Sequence, residues 1–319
     1  MRFPGFPRTL GAASLAALFF LAEAASGALA AEMAVVISTD TSRPEAVVQG
    51  LAKELAGHQL KEFRLGESEE GWGALADQIE STKPALVFSV GSQAAQFVRN
   101  RLRDFPAVFT SAVDSPAAGL HSSNMTGVNA DLAPERRLAL LKDLYPGVRR
   151  IGVVYNPANS AFTVMRSQEA AQALGLEIVA AKIDIQQDVP RAMQAIRGQI
   201  DLLWMIRDPV LLDPTSLREV LKFSLIENVP LLAFSNSVVQ AGGLLAIVPL
   251  EEDMGRQAAR IAKEILAGKR PGQIEPLWPE RYEITLNLRT AKKIGRLEDI
   301  AINILVYAAE QKQEIRVFR

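Results

Sequence analysis

The side chains that could do chemistry fall in six short segments: Thr39-Asp40-Thr41, Ser92-Gln93, Asp114-Ser115, residues 156–160, Asp208-Pro209 and Ser235-Asn236-Ser237. They offer hydroxyls, amides and carboxylates, and Tyr155 adjoins the fourth segment. Such groups recognise a ligand by hydrogen bonds and charge pairing. Catalysis asks for more, usually a nucleophile within reach of a base. The chain has 319 residues, no cysteine, and only His58 and His121 as histidines. Thiol nucleophiles, cysteine–zinc sites and iron–sulfur clusters are thereby excluded. Little remains for histidine-based proton transfer or metal ligation. The dinucleotide pattern G-x-G-x-x-G, the G-x-x-x-x-G-K-[ST] phosphate loop and the G-x-S-x-G elbow are all missing. Residues 90–95 (Val-Gly-Ser-Gln-Ala-Ala) approach the elbow but lack its second glycine. No carboxylate pair stands out for glycoside hydrolysis. No cofactor and no metal is expected.

Each candidate also has a purely structural explanation. Ser92 follows an apolar run and precedes a helical pattern, so it suits a helix N-cap. A hydroxyl and free amides at a helix start also suit a ligand carboxylate. Asp40, Asp114 and Asp208 could pair with a ligand ammonium, or cap turns, as Asp-Pro at 208–209 does elsewhere. Tyr155 could line a cleft, whereas Trp204 reads as core.

The elements that position these segments alternate regularly. Short apolar runs at 34–38, 60–65, 85–90, 107–110 and 125–128 read as strands. Residues 44–56, 72–81 and 92–103 carry helical spacing between them. The cycle repeats with strands at 150–155, 177–183, 202–206, 230–234 and 244–248. Helices are expected at 134–144, 162–174, 188–198, 214–227 and 251–267, and residues 156–160 are expected as a loop. Residues 298–319 read as a last helix and a polar, basic tail. Alternating strands and helices imply parallel sheets covered on both faces. The fold class is α/β, with two doubly wound parallel-sheet lobes and no flexible linker between them. Ligands of such sheets sit beyond the carboxyl ends of the strands, where the six segments lie.

Lys+Arg is 35 and Asp+Glu is 36, a net charge of -1, which gives no reason to expect nucleic acid. Residues 1–30 read as a signal peptide: Arg2 and Arg8, an apolar run over 10–22, then Ala28-Leu29-Ala30 as a cleavage site. Glu23 interrupts the run before it could span a bilayer. No cysteine stands at the cleavage site to carry a lipid. A soluble exported protein is kept near its cell by an outer membrane, so a Gram-negative periplasm is the expected compartment.

Residues 105–120, beginning Phe105-Pro106-Ala107-Val108-Phe109-Thr110, and then Asn124-Met125-Thr126-Gly127-Val128, resemble a stretch of ABC-transporter substrate-binding proteins. The group is the one that includes tryptophan/tyrosine-type binding proteins. Residues 150–160, 242–246, 255–271 and 284–295 resemble further blocks of that family. Departures fall at 33–75, at Ser92 where a threonine is usual, and at Pro209 after Asp208. The resemblance implies a type I periplasmic-binding-protein-like fold whose lobes are joined by a three-crossing hinge, near residues 129, 250 and 273. Lobe 1 would take 31–128 plus 250–272, and lobe 2 would take 129–249 plus 273–319. It also implies a monomer that captures a small polar ligand, such as an amino acid, and delivers it to an inner-membrane ABC permease. A ligand-sensing module for a signalling receptor is the alternative, and an exported α/β enzyme is a third. The ligand-binding candidates are Thr39, Asp40, Ser92, Gln93, Asp114, Tyr155, Asn159, Ser160, Asp208, Ser235 and Asn236. Ser92 and nearby amides would take a carboxylate, and Asp114 or Asp208 an ammonium.

Overall fold

The computed structural model describes residues 31–319 apart from 40, 42, 67 and 114–117. The expected signal segment, Asp40 and Asp114 therefore lie outside the described residues.

The first sheet is parallel throughout. Its strands are β1 (Glu32–Ile37), β2 (Gln59–Arg64), β3 (Leu86–Val90), β4 (Ala107–Ala112) and β5 (Met125–Asn129). Their order is β2-β1-β3-β4-β5. The inner strands are apolar on both faces because helices cover both. Helices α1 (Pro44–Glu54), α2 (Trp72–Ser81) and α3 (Ser92–Arg101) connect them. Met33, Val35 and Ile37 face one core layer, and Ala34 and Val36 the other.

The second lobe contains α4 (Pro134–Leu144), β6 (Arg150–Tyr155), α5 (Pro157–Ala173), β7 (Glu177–Lys182), α6 (Val189–Ile196), β8 (Leu202–Trp204), α7 (Pro209–Leu212) and α8 (Pro214–Ile226). It continues through β9 (Leu231–Ala233), α9 (Asn236–Gln240) and β10 (Leu245–Pro249). After α10 (Glu251–Leu266) come β11 (Tyr282–Asn287), α11 (Leu288–Lys293), α12 (Ile302–Glu310) and β12 (Ile315–Phe318). The strand order is β12-β11-β10-β9-β8-β6-β7.

Two expectations change here. Residues 315–318 are not a tail but an edge strand, paired in parallel with β11. The β10–β11 pair is antiparallel, so the second sheet is not parallel throughout although α10 intervenes between its strands. A third concerns residues 156–160. Asn156 is an N-cap whose Oδ1 accepts the Ala158 amide at 2.8 Å, and Pro157 opens α5. Asn159 and Ser160 thus stand in a helical first turn. Proline at the first helical position is pre-set for that backbone.

The chain passes between the lobes three times, after β5, between β10 and α10, and over residues 274–281. Helix α10 belongs to the first lobe, where Met254, Ala258 and Ile261 pack with Val35 and Leu51. It meets α1 at two glycines. A Cβ on Gly255 would lie 2.1 Å from the Val47 carbonyl oxygen, and one on Gly50 2.0 Å from that of Glu252. The third crossing is pinned to the first lobe. Leu277 donates its amide to Gly127 at 2.8 Å, and the Asn129 amide donates back at 2.9 Å. Gln257 on α10 is fully buried and donates to the Trp278 carbonyl at 3.1 Å.

Candidate functional site

Two adjoining cavities open between the lobes, at the carboxyl ends of the strands. The first is narrow and mostly apolar, walled by Phe162, Trp204, Ile206 and Trp278. The second is wider and carries more polar side chains. The first lobe gives it Thr41, Arg43 and Ser111, and the second gives it Arg207, Ser235, Asn236, Ser237 and Arg316. Ala130, on the first crossing, and Arg207, just after β8, line both. One ligand can therefore place an apolar body in the first and a polar head in the second.

The aromatic walls are held from behind. Trp278 sits on the third crossing under Arg166, whose guanidinium lies 5.9 Å from the ring. Arg166 also pairs with Glu135 at 2.5 Å. Beneath Trp204, Arg137 is almost wholly buried, 5.8 Å from the indole ring. It is ion-paired to Asp131 on the first crossing and donates to the Ile247 carbonyl at 3.1 Å. Burial, and then the nearby Arg207, push the guanidinium down to about 9. It is still charged at neutral pH, and Asp131 favours that form. A positive charge thus lies under the cavity floor.

In the polar cavity, Ser235 caps α9 and accepts the Val238 amide at 3.4 Å. Asn236 is clamped: its Nδ2 donates to Glu283 at 2.6 Å and its Oδ1 accepts from Thr285 at 2.5 Å. Glu283 in turn pairs with Arg316 of β12 at 3.3 Å. The edge strand therefore orients a cavity residue through one carboxylate.

The other expected residues fare differently. Ser160 lines the apolar cavity, and its hydroxyl donates to Asp208 at 2.7 Å. Asp208 is fully buried. It also accepts the amides of Asn156 at 2.8 Å and Val210 at 3.0 Å. It caps α7 and ties that turn to α5, which gives it a structural role beside its expected place opposite a ligand ammonium. Tyr155 is packed in the second-lobe core and lines neither cavity. Ser92 is not the cap of α3. Gly91 holds that position at φ 97°, a backbone glycine adopts without strain, and Ser92 starts the helix, exposed. Thr39 donates to Gln93 at 3.3 Å on the first lobe, and neither lines the two cavities. Asn159 is exposed on α5 and also lines neither.

Several cavity residues escape the sequence reading, among them Phe162, Arg166, Trp278, Ser111, Arg43 and Arg316. A tryptophan within the proline-rich third crossing was the one available signal, since crossings border the cleft. Among the described residues no group of acidic or histidine side chains could hold a metal ion, and no helix is long and apolar enough to cross a membrane.

Comparison with known proteins decides the family, because the family of ABC transporter substrate binding proteins matches residues 32–312. The chain belongs to that family. A tyrosine-binding protein of Clostridioides difficile (strain R20291) is 28% identical over 239 residues, covering 72% of this chain and 69% of that one. Solved substrate-binding proteins share the two-lobed fold. A ligand-free, open structure of a substrate-binding protein with adhesive properties from Clostridium difficile superposes with a TM-score of 0.71 at 21% identity, covering 91% of this chain and all 100% of that one. A domain from Streptococcus pneumonia in complex with L-Trp gives 0.63 at 18% identity, covering 86% and 98%. The paired cavities lie between the two lobes of this shared fold.

Proposed function

We propose that this chain is a periplasmic solute-binding protein that captures a small amino-acid-like ligand and delivers it to an ABC importer. One observation carries the reading: an aromatic-walled cavity adjoins a polar one, and both are built from residues of the two lobes and their crossings. An aromatic amino acid fits that division. Its ring would lie between Trp204, Trp278 and Phe162, and its head group would face Arg207, Ser235 and Asn236. Burying an aromatic side chain of ~150–250 Å² at ~25 cal/mol per Å² is worth at most about 6 kcal/mol. The tyrosine-binding relative and the tryptophan complex support the same ligand class.

Mechanism follows from where the ligand sits. A ligand that touches both lobes binds the closed state better than the open one, and shifts the population by that difference. Trp278 is on a crossing, so stacking there acts directly on the hinge. The closed form then presents a joined surface of both lobes to a permease. Export rests on the basic start, apolar run and Ala28-Leu29-Ala30 of the amino-terminal segment.

Thermal unfolding with L-tyrosine, L-tryptophan, L-phenylalanine and non-aromatic amino acids tests the proposal. A ligand at 100 times its Kd adds about 2.7 kcal/mol. That should raise the midpoint by roughly 5–10 °C for a chain of this size. No shift with any amino acid, together with no small molecule retained in native mass spectrometry, would sink it.

A further inference from the structure

Among the described residues, Lys83, Ser111, Asn228 and Lys312 are the non-glycine residues with positive φ. Three of them follow the last turn of α2, α8 and α12, where a left-handed residue ends a helix in the ordinary way. Ser111 is different. It stands inside β4 at φ 57°, with no helix to end. The strand register breaks at it: Thr110 pairs with Val128 and Ala112 with Asn129, so Ser111 is the extra residue of a bulge. Bulges re-aim side chains, and they gather beside binding sites.

A second observation is independent of the backbone. The Ser111 hydroxyl is buried and has no hydrogen-bond partner. The hydroxyls of Ser38 and Thr41, both just after β1, are by contrast satisfied: each donates to the Val90 carbonyl of β3, at 2.9 and 3.4 Å. Ser111 thus carries two unfavourable features at once, a left-handed backbone and an orphaned hydroxyl. It does so on the wall of the polar cavity, opposite Ser235, Asn236 and Ser237 of the other lobe. Strain held at one residue of a ligand cleft is a sign of function rather than of folding.

We propose that Ser111 is a first-lobe ligand contact, and that its hydroxyl donates to a ligand carboxylate when the lobes close. The inference rests on the ligand-binding reading of the cleft. A carboxylate is the matching group because Arg43, Arg207 and Arg316 line this cavity against the single acidic Glu251. Arg43 shares Glu251 at 3.8 Å, and Arg316 shares Glu283 at 3.3 Å, so the arginines are held in place before any ligand arrives.

The test compares wild type with Ser111→Gly and Ser111→Ala, using L-tyrosine, L-tryptophan and their carboxamides as probes. Glycine relieves the left-handed backbone, so Ser111→Gly raises the unfolding temperature. Both variants bind the amino acids about tenfold more weakly, the worth of one charge-assisted hydrogen bond. Wild type prefers the carboxylate to the carboxamide, and each variant loses part of that preference. If wild type binds and both variants bind equally well, the inference is overturned while the ligand-binding reading stands. If wild type binds none of the probes, the aromatic amino-acid reading fails, and a second readout decides Ser111. Ser111→Cys places one thiol in a chain with no other cysteine. Reaction with a small methanethiosulfonate in the native protein supports a side chain turned to the cleft. Reaction only at the rate of unfolding overturns it.

Discussion

Replacing Asp208 by alanine separates a structural carboxylate from a ligand-binding one. The native carboxylate takes three donors: the Ser160 hydroxyl at 2.7 Å, the Asn156 amide at 2.8 Å and the Val210 amide at 3.0 Å. It is fully buried, so water cannot replace it in the folded state without rearrangement. Hydrogen bonds to a charged group contribute ~1.5–3 kcal/mol each. The two amides lie at partly exposed helix starts and recover some of that loss from water. A total cost of about 3–5 kcal/mol follows. At ~2–4 °C per kcal/mol, the unfolding midpoint should fall by roughly 10 °C. Asp208→Asn keeps one acceptor for the Val210 amide, and the Ser160 hydroxyl can turn to accept from the new amide. Its loss should be about half as large. The assay is urea unfolding followed by circular dichroism, run beside a ligand titration on the same preparations. A variant that unfolds with wild type but no longer binds ligand would refute the argument. It would make Asp208 the counter-ion of a ligand ammonium, as its loop position alone suggests.

Gly255→Ala drives a methyl group into the Val47 carbonyl, which cannot move without moving α1. It should cost about 2–3 kcal/mol in urea unfolding, and Gly50→Ala a similar amount. Arg137→Met leaves Asp131 without its partner on the first crossing, and should cost about 3–5 kcal/mol, measured by thermal unfolding at pH 7. Hydrogen bonds from Lys53, and then Arg256, hold the exposed Glu252 carboxyl down at about 2. Its folded value lies below its unfolded one, so its contribution is complete above about 4.5 and is lost as pH falls toward 2. Glu252→Gln should therefore flatten part of the acid-unfolding curve in that window, and an unchanged curve would show that the pair is fully screened.

The fold was largely legible because burial on two faces leaves an unambiguous mark. The runs that became β1, β3 and β6 are apolar apart from Glu32 and Arg150 at their starts and Ser89, and α10 repeats Met254, Ala258, Ile261, Ala262 and Ile265 at helical spacing. The last strand was not legible. Ile315-Arg316-Val317-Phe318 is short, charged and solvated on one side, and only its partner β11 makes it a strand. The segments around the cleft were also legible, since strand ends precede them. What each side chain does there was not. Asp208 and Tyr155 are of types that bind ligands, but the fold consumes one in hydrogen bonds and the other in packing. The strain at Ser111 comes from a register mismatch between two strands, and no local pattern announces it.

Helix α10 has one more consequence, for the order in which the molecule can be made. Lys53 on α1 and Glu252 on α10 touch at 2.7 Å across a separation of 199 residues. Until the chain has grown through α10, one face of the first sheet is covered only in part, by α1, and Val35, Leu51 and Val108 have no complete layer to join. The first lobe therefore cannot finish folding before α10 has been made. Contacts this distant in sequence close slowly, because the intervening loop must be ordered first.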